Sequence, residues 1–163
     1  LIGLRETATN RGLVGVLHLP ALGETYSAAI GLGAHLGGRR LQLDADVPEG
    51  RPGPVLSAGD PNQFNDAGIP DDYAKVSGFS RYFRGYTDCF GHALALRGAV
   101  DAHADPGLSA WDLGPIDVLF GEAGGGYFCR PSISGGGFDA VVGRTNVVAD
   151  VVRRLGWGSA APS

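Results

Sequence analysis

The apolar residues of this chain change their period part-way along it, and that switch limits the fold more than any other feature. In "LVGVLHLP" (Leu13 to Pro20), "TYSAAIG" and "RRLQLDADV" they alternate with small or polar neighbours, the pattern of half-buried strands. The turn-forming "ALGE" between the first two runs predicts an antiparallel pair, and Leu41, Leu43 and Ala45 are the inward positions expected of a third strand. From Pro48 to Pro70 the density of Pro, Gly, Asn and Asp predicts a loop-rich junction.

Beyond the junction, helical spacing alternates with short strands. Tyr73, Val76, Phe79 and Phe83 predict a helix over most of "DDYAKVSGFSRYF". "TDCFGHALALRG" reads as a helix with Thr87 or Asp88 as its cap and Gly98 as its stop. "AVDAHAD" predicts a strand ending at Asp105 before a Pro-Gly turn. Leu113, Ile116, Leu119, Phe120 and Ala123 share one helical face, which three glycines terminate ahead of a strand at "YFC". The strand "DAVVG" and the helix "TNVVADVVRRLGW" follow. Strands clustered first, then helices alternating with strands, make an α/β or α+β layered class.

Composition narrows the partners. With 163 residues, 44% of them hydrophobic, and a formal charge of −4, the chain suits one soluble domain and has no basic excess to recommend nucleic acid. No apolar run approaches the ~18 residues of a membrane span, and "LIGLRETATN" lacks the marks of a signal peptide, so a cytoplasmic protein without membrane contact is expected. Cys89 and Cys129 are too few for a disulfide framework and are expected as inert thiols. His18, His35, His92 and His103 show no ligand spacing and are expected to be structural; "GEAGGGYF" and "SISGGGFDA" lack the residues of a nucleotide loop and read as turns.

The chemistry-bearing stretch is "SAWDLGPIDVLFGEAGGGYF". Asp112 falls near a helix start just after a strand, where a carboxylate either caps the helix or faces a metal or phosphate. Pro115 is comfortable only in a first helical turn, so Asp112 is expected at or just before that start.

"AWDLGPIDVLFGEAGG", preceded by "RGYTDCFGHALALRGAVDAHADPGLS", resembles the C-terminal signature of the inositol monophosphatase and histidinol phosphatase family. "GLVGVLHLPALGETYSAAIGLGAHLGGRRLQL" resembles the family's middle segment and "VVGRTNVVADVVRRLGW" its closing strand and helix. The resemblance implies a layered αβαβα sandwich and a Mg2+-dependent phosphomonoesterase acting on a small phosphorylated alcohol. It makes Asp112 a metal ligand with Trp111 packed beside it, and Asp105 a substrate-facing acid. Asp88, Arg84 and Gly85 would line the leaving-group pocket, with Ser57 a less secure match. Asp88 also points to the histidinol phosphatase branch, since a carboxylate there could meet a cationic amine. Residues 1–47 would be the remainder of a metal-binding subdomain sheet, 48–70 the junction, and 71–163 a C-terminal α/β subdomain.

In the family, a Gly-Glu-Glu type segment and Asp-Pro-x-Asp-Gly-Thr carry most of the metal ligands, and neither occurs in this sequence. Three readings follow: a phosphatase whose upstream third is supplied elsewhere, an inactive relic or interaction module of the same fold, or a metal-free enzyme using Asp112 and Asp105 as an acid–base pair. Uncovered strand edges and apolar faces lead to the further expectation of a homo-oligomer, or of a complex with the missing N-terminal segment.

Overall fold

The computed structural model describes residues 1–86 and 88–159. Alternation in the first forty residues builds five strands, β1 (Ile2–Arg5), β2 (Gly12–Leu19), β3 (Glu24–Ala29), β4 (Gly33–Leu36) and β5 (Arg39–Leu41), each antiparallel to the next. The expected pair is β2 with β3, in register from Val14 opposite Ala29 to Leu19 opposite Glu24. Leu17, Tyr26, Ala34 and Leu41 point to one face and are buried there. The third strand is shorter than expected. Leu43 is buried but its N–H bonds the Ala123 carbonyl at 2.7 Å, so the chain has left the sheet and Ala45 is exposed.

The passage from Pro48 to Pro70 is not a loop throughout, because it contains strand β6 (Val55–Ala58) and helix α1 (Pro61–Asp66). Its polar residues serve as a helix start. The Asp60 carboxylate accepts from the N–H groups of Asn62 (2.7 Å) and Gln63 (3.3 Å), while the Gln63 side chain accepts from Asp60 N–H at 2.9 Å. Helix α2 (Pro70–Ser77) then stops at Gly78, earlier than the spacing suggested, and Phe83 belongs instead to β7 (Tyr82–Gly85).

Helix α3 (Asp88–Leu96) ends as expected at Gly98, whose φ is 74°. Thr87, the alternative cap, lies outside the described residues. Strand β8 (Ala102–Leu108) runs past Asp105, through Pro106 and Gly107, because a register shift against its neighbour absorbs the extra residue. After it come α4 (Ala110–Leu113), α5 (Ile116–Glu122), β9 (Gly126–Pro131), β10 (Phe138–Gly143) and α6 (Thr145–Leu155).

The second sheet has the order β7-β6-β8-β10-β9, with β7, β6 and β8 parallel and β10 antiparallel to both its neighbours. Helices α3 and α5 lie between the two sheets in one apolar core; α1, α2 and α6 cover the other face of the second sheet in another. The start of α5 presses so close to β2 that a side chain at Gly15 would meet the Pro115 carbonyl oxygen at 2.4 Å. Among the described residues no helix is long and apolar enough to cross a membrane.

Candidate functional site

Strands β6 and β7 end together, Ala58 lying level with Gly85 on one side and with Ala104 on the other, where β8 continues to Leu108. The carboxyl edge of parallel strands is where open α/β sheets place ligands, because the following helices start there with their N–H groups facing outward. Two of the expected acids arrive at this edge. Asp88 is the first residue of α3, exposed, with an unusual positive φ of 55°. Asp112 sits in α4, just beyond β8. Together with Leu1, Cys89, His92, Leu108 and Trp111 they line one cavity of about 330 Å³.

Asp112 is the third residue of its helix, not the residue before it, since the helix starts at Ala110 and Pro115 heads a separate one, α5. Its Oδ2 accepts from Ser109 N–H at 3.0 Å, while Oδ1 makes no hydrogen bond among the described residues. One oxygen therefore caps the helix, and the residue also borders the cavity. Trp111 is 78% exposed at the cavity rim, so it does not pack beside Asp112 as expected. Burial pushes the Cys89 thiol up, as it does Cys129; both are free, in keeping with inert thiols.

The other expected site residues lie elsewhere. Asp105 is fully buried and does not border the cavity; its Oδ2 lies 3.6 Å from His92 Nε2 and 3.5 Å from His103 Nε2. The cause is strand geometry: Asp105 shares with His103, two residues before it, the face of β8 turned toward α3. Ser57 is also buried, on β6, with its Oγ 2.8 Å from His103 Nδ1. Arg84 is exposed and donates to the Phe83 carbonyl at 2.7 Å; at Gly85 a side chain would meet open space. Sequence spacing had separated His92 from His103, yet α3 lies across β8 and brings their ring centroids to 5.2 Å. The signal was present in "HAD", a histidine and an aspartate two apart on a strand.

Burial drives His92 down to about 4, with the neighbouring His103 adding to the effect, so its imidazole is neutral at pH 7. Burial works to raise Asp105, but the His103 ring, with His92, outweighs it and holds the carboxyl below its ordinary range. A larger hollow of about 610 Å³ lies between β9 and α6, lined by Tyr127, Phe128, Val148 and Val152. Among the described residues no carboxylate or imidazole lines it.

No protein-family model matches the chain. Its sequence is 30% identical over 112 residues to the histidinol-phosphatase of Chlorobaculum parvum, covering 69% of this chain and 42% of that protein. It is 29% identical over 149 residues to the histidinol-phosphatase of Mycobacterium tuberculosis (89% and 57%), and 32% over 118 residues to the inositol-1-monophosphatase of Mesorhizobium japonicum (69% and 43%). Among solved structures, the inositol monophosphatase from Anabaena superposes with a TM-score of 0.72 at 21% identity, covering 90% of this chain and 59% of that one. The chain belongs to the inositol monophosphatase and histidinol phosphatase family.

The family fold is the layered sandwich described above, and the chain spans about half the length of the curated relatives it matches, 42% to 57%. The magnesium that the family implies can be tested against the donors present. Asp112 suits a hard, oxygen-liganded ion, since Mg2+ is commonly held by one or two carboxylates, waters and phosphate oxygens. A two- or three-ion cluster needs more convergent carboxylates than Asp88 and Asp112 supply, and Asp105 is turned inward to His92 and His103.

Proposed function

We propose that this chain is part of a phosphomonoesterase that hydrolyses a small phosphorylated alcohol, histidinol phosphate in preference to inositol monophosphate. The observation that carries the reading is the shared cavity of Asp88 and Asp112, two carboxylates brought from separate helices to the carboxyl edge of three parallel strands. The family relationship supports it, and two of the three relatives above are histidinol-phosphatases. Bound Mg2+ would supply charge stabilisation at the phosphoryl group and a more acidic water. The chain's own residues hold and orient: Asp112 offers its uncapped oxygen, Asp88 meets the cationic amine of the alcohol, and Trp111 shields the mouth of the cavity. Because the full cluster needs further acids, the reading includes an upstream segment that brings them.

Phosphate release from histidinol phosphate and from inositol phosphate, with and without Mg2+, by the chain alone and with that segment restored, tests the proposal. Turnover that needs both metal and segment is expected, and Asp112→Asn should lower it at least about 100-fold, as loss of a main electrostatic group does. Unchanged turnover in Asp112→Asn removes that residue from the site. The second reading, an inactive binding module, is favoured by the capping bond that occupies Asp112 Oδ2. Silence in every arm would support it, and metal-independent turnover would point to acid–base chemistry at Asp112 without Asp105, which is buried away from the cavity.

A further inference from the structure

Among the described residues four aspartates are buried, and three of them are fully provided for. Asp72 accepts from Trp157 Nε1 at 2.8 Å and pairs with Lys75. Asp101 accepts from Arg144 Nε at 2.7 Å and Val55 N–H at 2.8 Å, and pairs with Arg51. Asp139 accepts from Arg130 Nε at 3.1 Å, Gly107 N–H at 3.2 Å and the Ser132 hydroxyl. Asp105 has no hydrogen bond to either oxygen among the described residues, and both nitrogens of His92 and the Nε2 of His103 are equally without one. Buried charge is kept in folded proteins when it is paired, hydrogen-bonded or bound to a metal, so orphaned polar atoms on three neighbouring residues call for a common partner, one atom from each.

Their geometry says what kind. His92 Nε2 and His103 Nε2 lie 3.6 and 3.5 Å from the same Asp105 oxygen, too far for good hydrogen bonds, and one donor atom from each of the three residues falls within 4.8 Å of the others. Ligand bonds of ~2.0–2.1 Å to a tetrahedral ion set its donor atoms ~3.3 Å apart, close to the two separations found here. The two rings stand at 84° to one another with centroids 5.2 Å apart, an edge-to-face pair. Ser57 Oγ lies 2.8 Å from His103 Nδ1; as acceptor of a proton there it would leave the Nε2 lone pair free for an ion, the outer partner that metal-bound histidines carry. Gly91 makes the approach possible, since a side chain there would meet His103 Cε1 at 2.3 Å.

We propose that His92, His103 and Asp105 form a binding site for one divalent transition ion of the zinc type, separate from any magnesium at Asp112. Two imidazoles and one carboxylate are a borderline-soft donor set that prefers Zn2+ to Mg2+, and three protein ligands leave a fourth position for water. The site joins α3 to β8 directly behind the cavity, so the ion fixes the two elements that carry Asp88 and lead to Asp112. This inference does not depend on hydrolytic activity.

The test uses the tag-free chain, stripped with chelator and titrated calorimetrically with Zn2+ and separately with Mg2+. One Zn2+ per chain is expected, with a raised thermal unfolding midpoint, and no competition from Mg2+. Co2+ in its place should give the intense visible absorption of a tetrahedral site. His103→Ala and Asp105→Asn should abolish binding, whereas Ser57→Ala should weaken it by the ~10- to 100-fold typical of an outer partner. His18→Ala, His35→Ala and Cys89→Ser should leave it intact. Should the core variants fail to fold, imidazole nitrogen NMR on the unmutated chain decides: two of the four histidines must move to metal-bound positions. Absence of stoichiometric Zn2+ binding, binding that survives His103→Ala in a folded protein, or imidazoles unmoved by Zn2+ would each overturn the proposal and leave water as the partner of the buried atoms.

Discussion

Asp101 shows what a buried carboxylate contributes when its partners are complete. It is fully buried at the start of the β8 region, and through Arg144, Arg51 and Val55 N–H it ties together the entries to β6, β8 and α6. Asp101→Ala leaves the buried Arg144 guanidinium without its main counter-charge. The cost of breaking such a pair is about 3–5 kcal/mol, a large share of the ~5–15 kcal/mol that holds a domain together. The urea midpoint should therefore fall steeply, or the variant should fail to fold. Asp44→Ala removes a pairing that is 3.9 Å long with the acid exposed, and should move the midpoint by no more than about 0.5 kcal/mol. Equal effects for the two variants would contradict this assignment. Asp88 and Asp112 could be found from sequence because each opens or enters a helix. Asp105 was assigned the opposite direction, since nothing local shows which face of β8 turns toward α3.

Elements with one continuous pattern, such as β2, β3 and α6, were legible along the chain, but elements that begin or break on polar residues were not. Asp60-Pro61-Asn62-Gln63 has the composition of a loop and the hydrogen bonds of a helix cap. Pro115 divides α4 from α5, so a single apolar face is carried by two helices. Glu122, at the end of α5, accepts from Gly31 N–H at 2.9 Å and Gly33 N–H at 2.8 Å, pinning the β3–β4 turn to the helix. Those two N–H groups hold its carboxyl below the ordinary glutamate range. With the folded value depressed, the unfolded chain takes up the proton first as pH falls. The stabilisation is therefore present at neutral pH and disappears below about 4.3 as pH passes through the folded value. Glu122→Gln should lower the unfolding midpoint at pH 7 and lose less on acidification than the parent chain. Parallel pH profiles for the two proteins would show that the contact carries no such charge.

At the scale of the whole molecule, the layer order could be anticipated from the change of period, whereas the meeting of α3 with β8 could not, because it depends on how far one element tilts across another. The same layering leaves the first sheet with one face packed on α3 and α5 and the other facing solvent. On that outer side Ile2 is 70% and Leu4 57% exposed, and they sit on β1, which is also an open edge of the sheet. Val14 and Val16, opposite them on β2, extend the patch as half-buried residues. Apolar surface joined to unpaired strand edge favours association, because covering it buries hydrocarbon and satisfies backbone donors in one step. We propose that in the isolated chain the cover is a second copy, pairing β1 edges about a twofold axis. Light scattering should give a mass above the 16.8 kDa of one chain, falling to monomer on dilution or in Leu4→Lys, which places a charge in the contact without touching either core. A monodisperse monomer at high concentration, or an oligomer indifferent to Leu4→Lys, would show that this face is stable in water on its own.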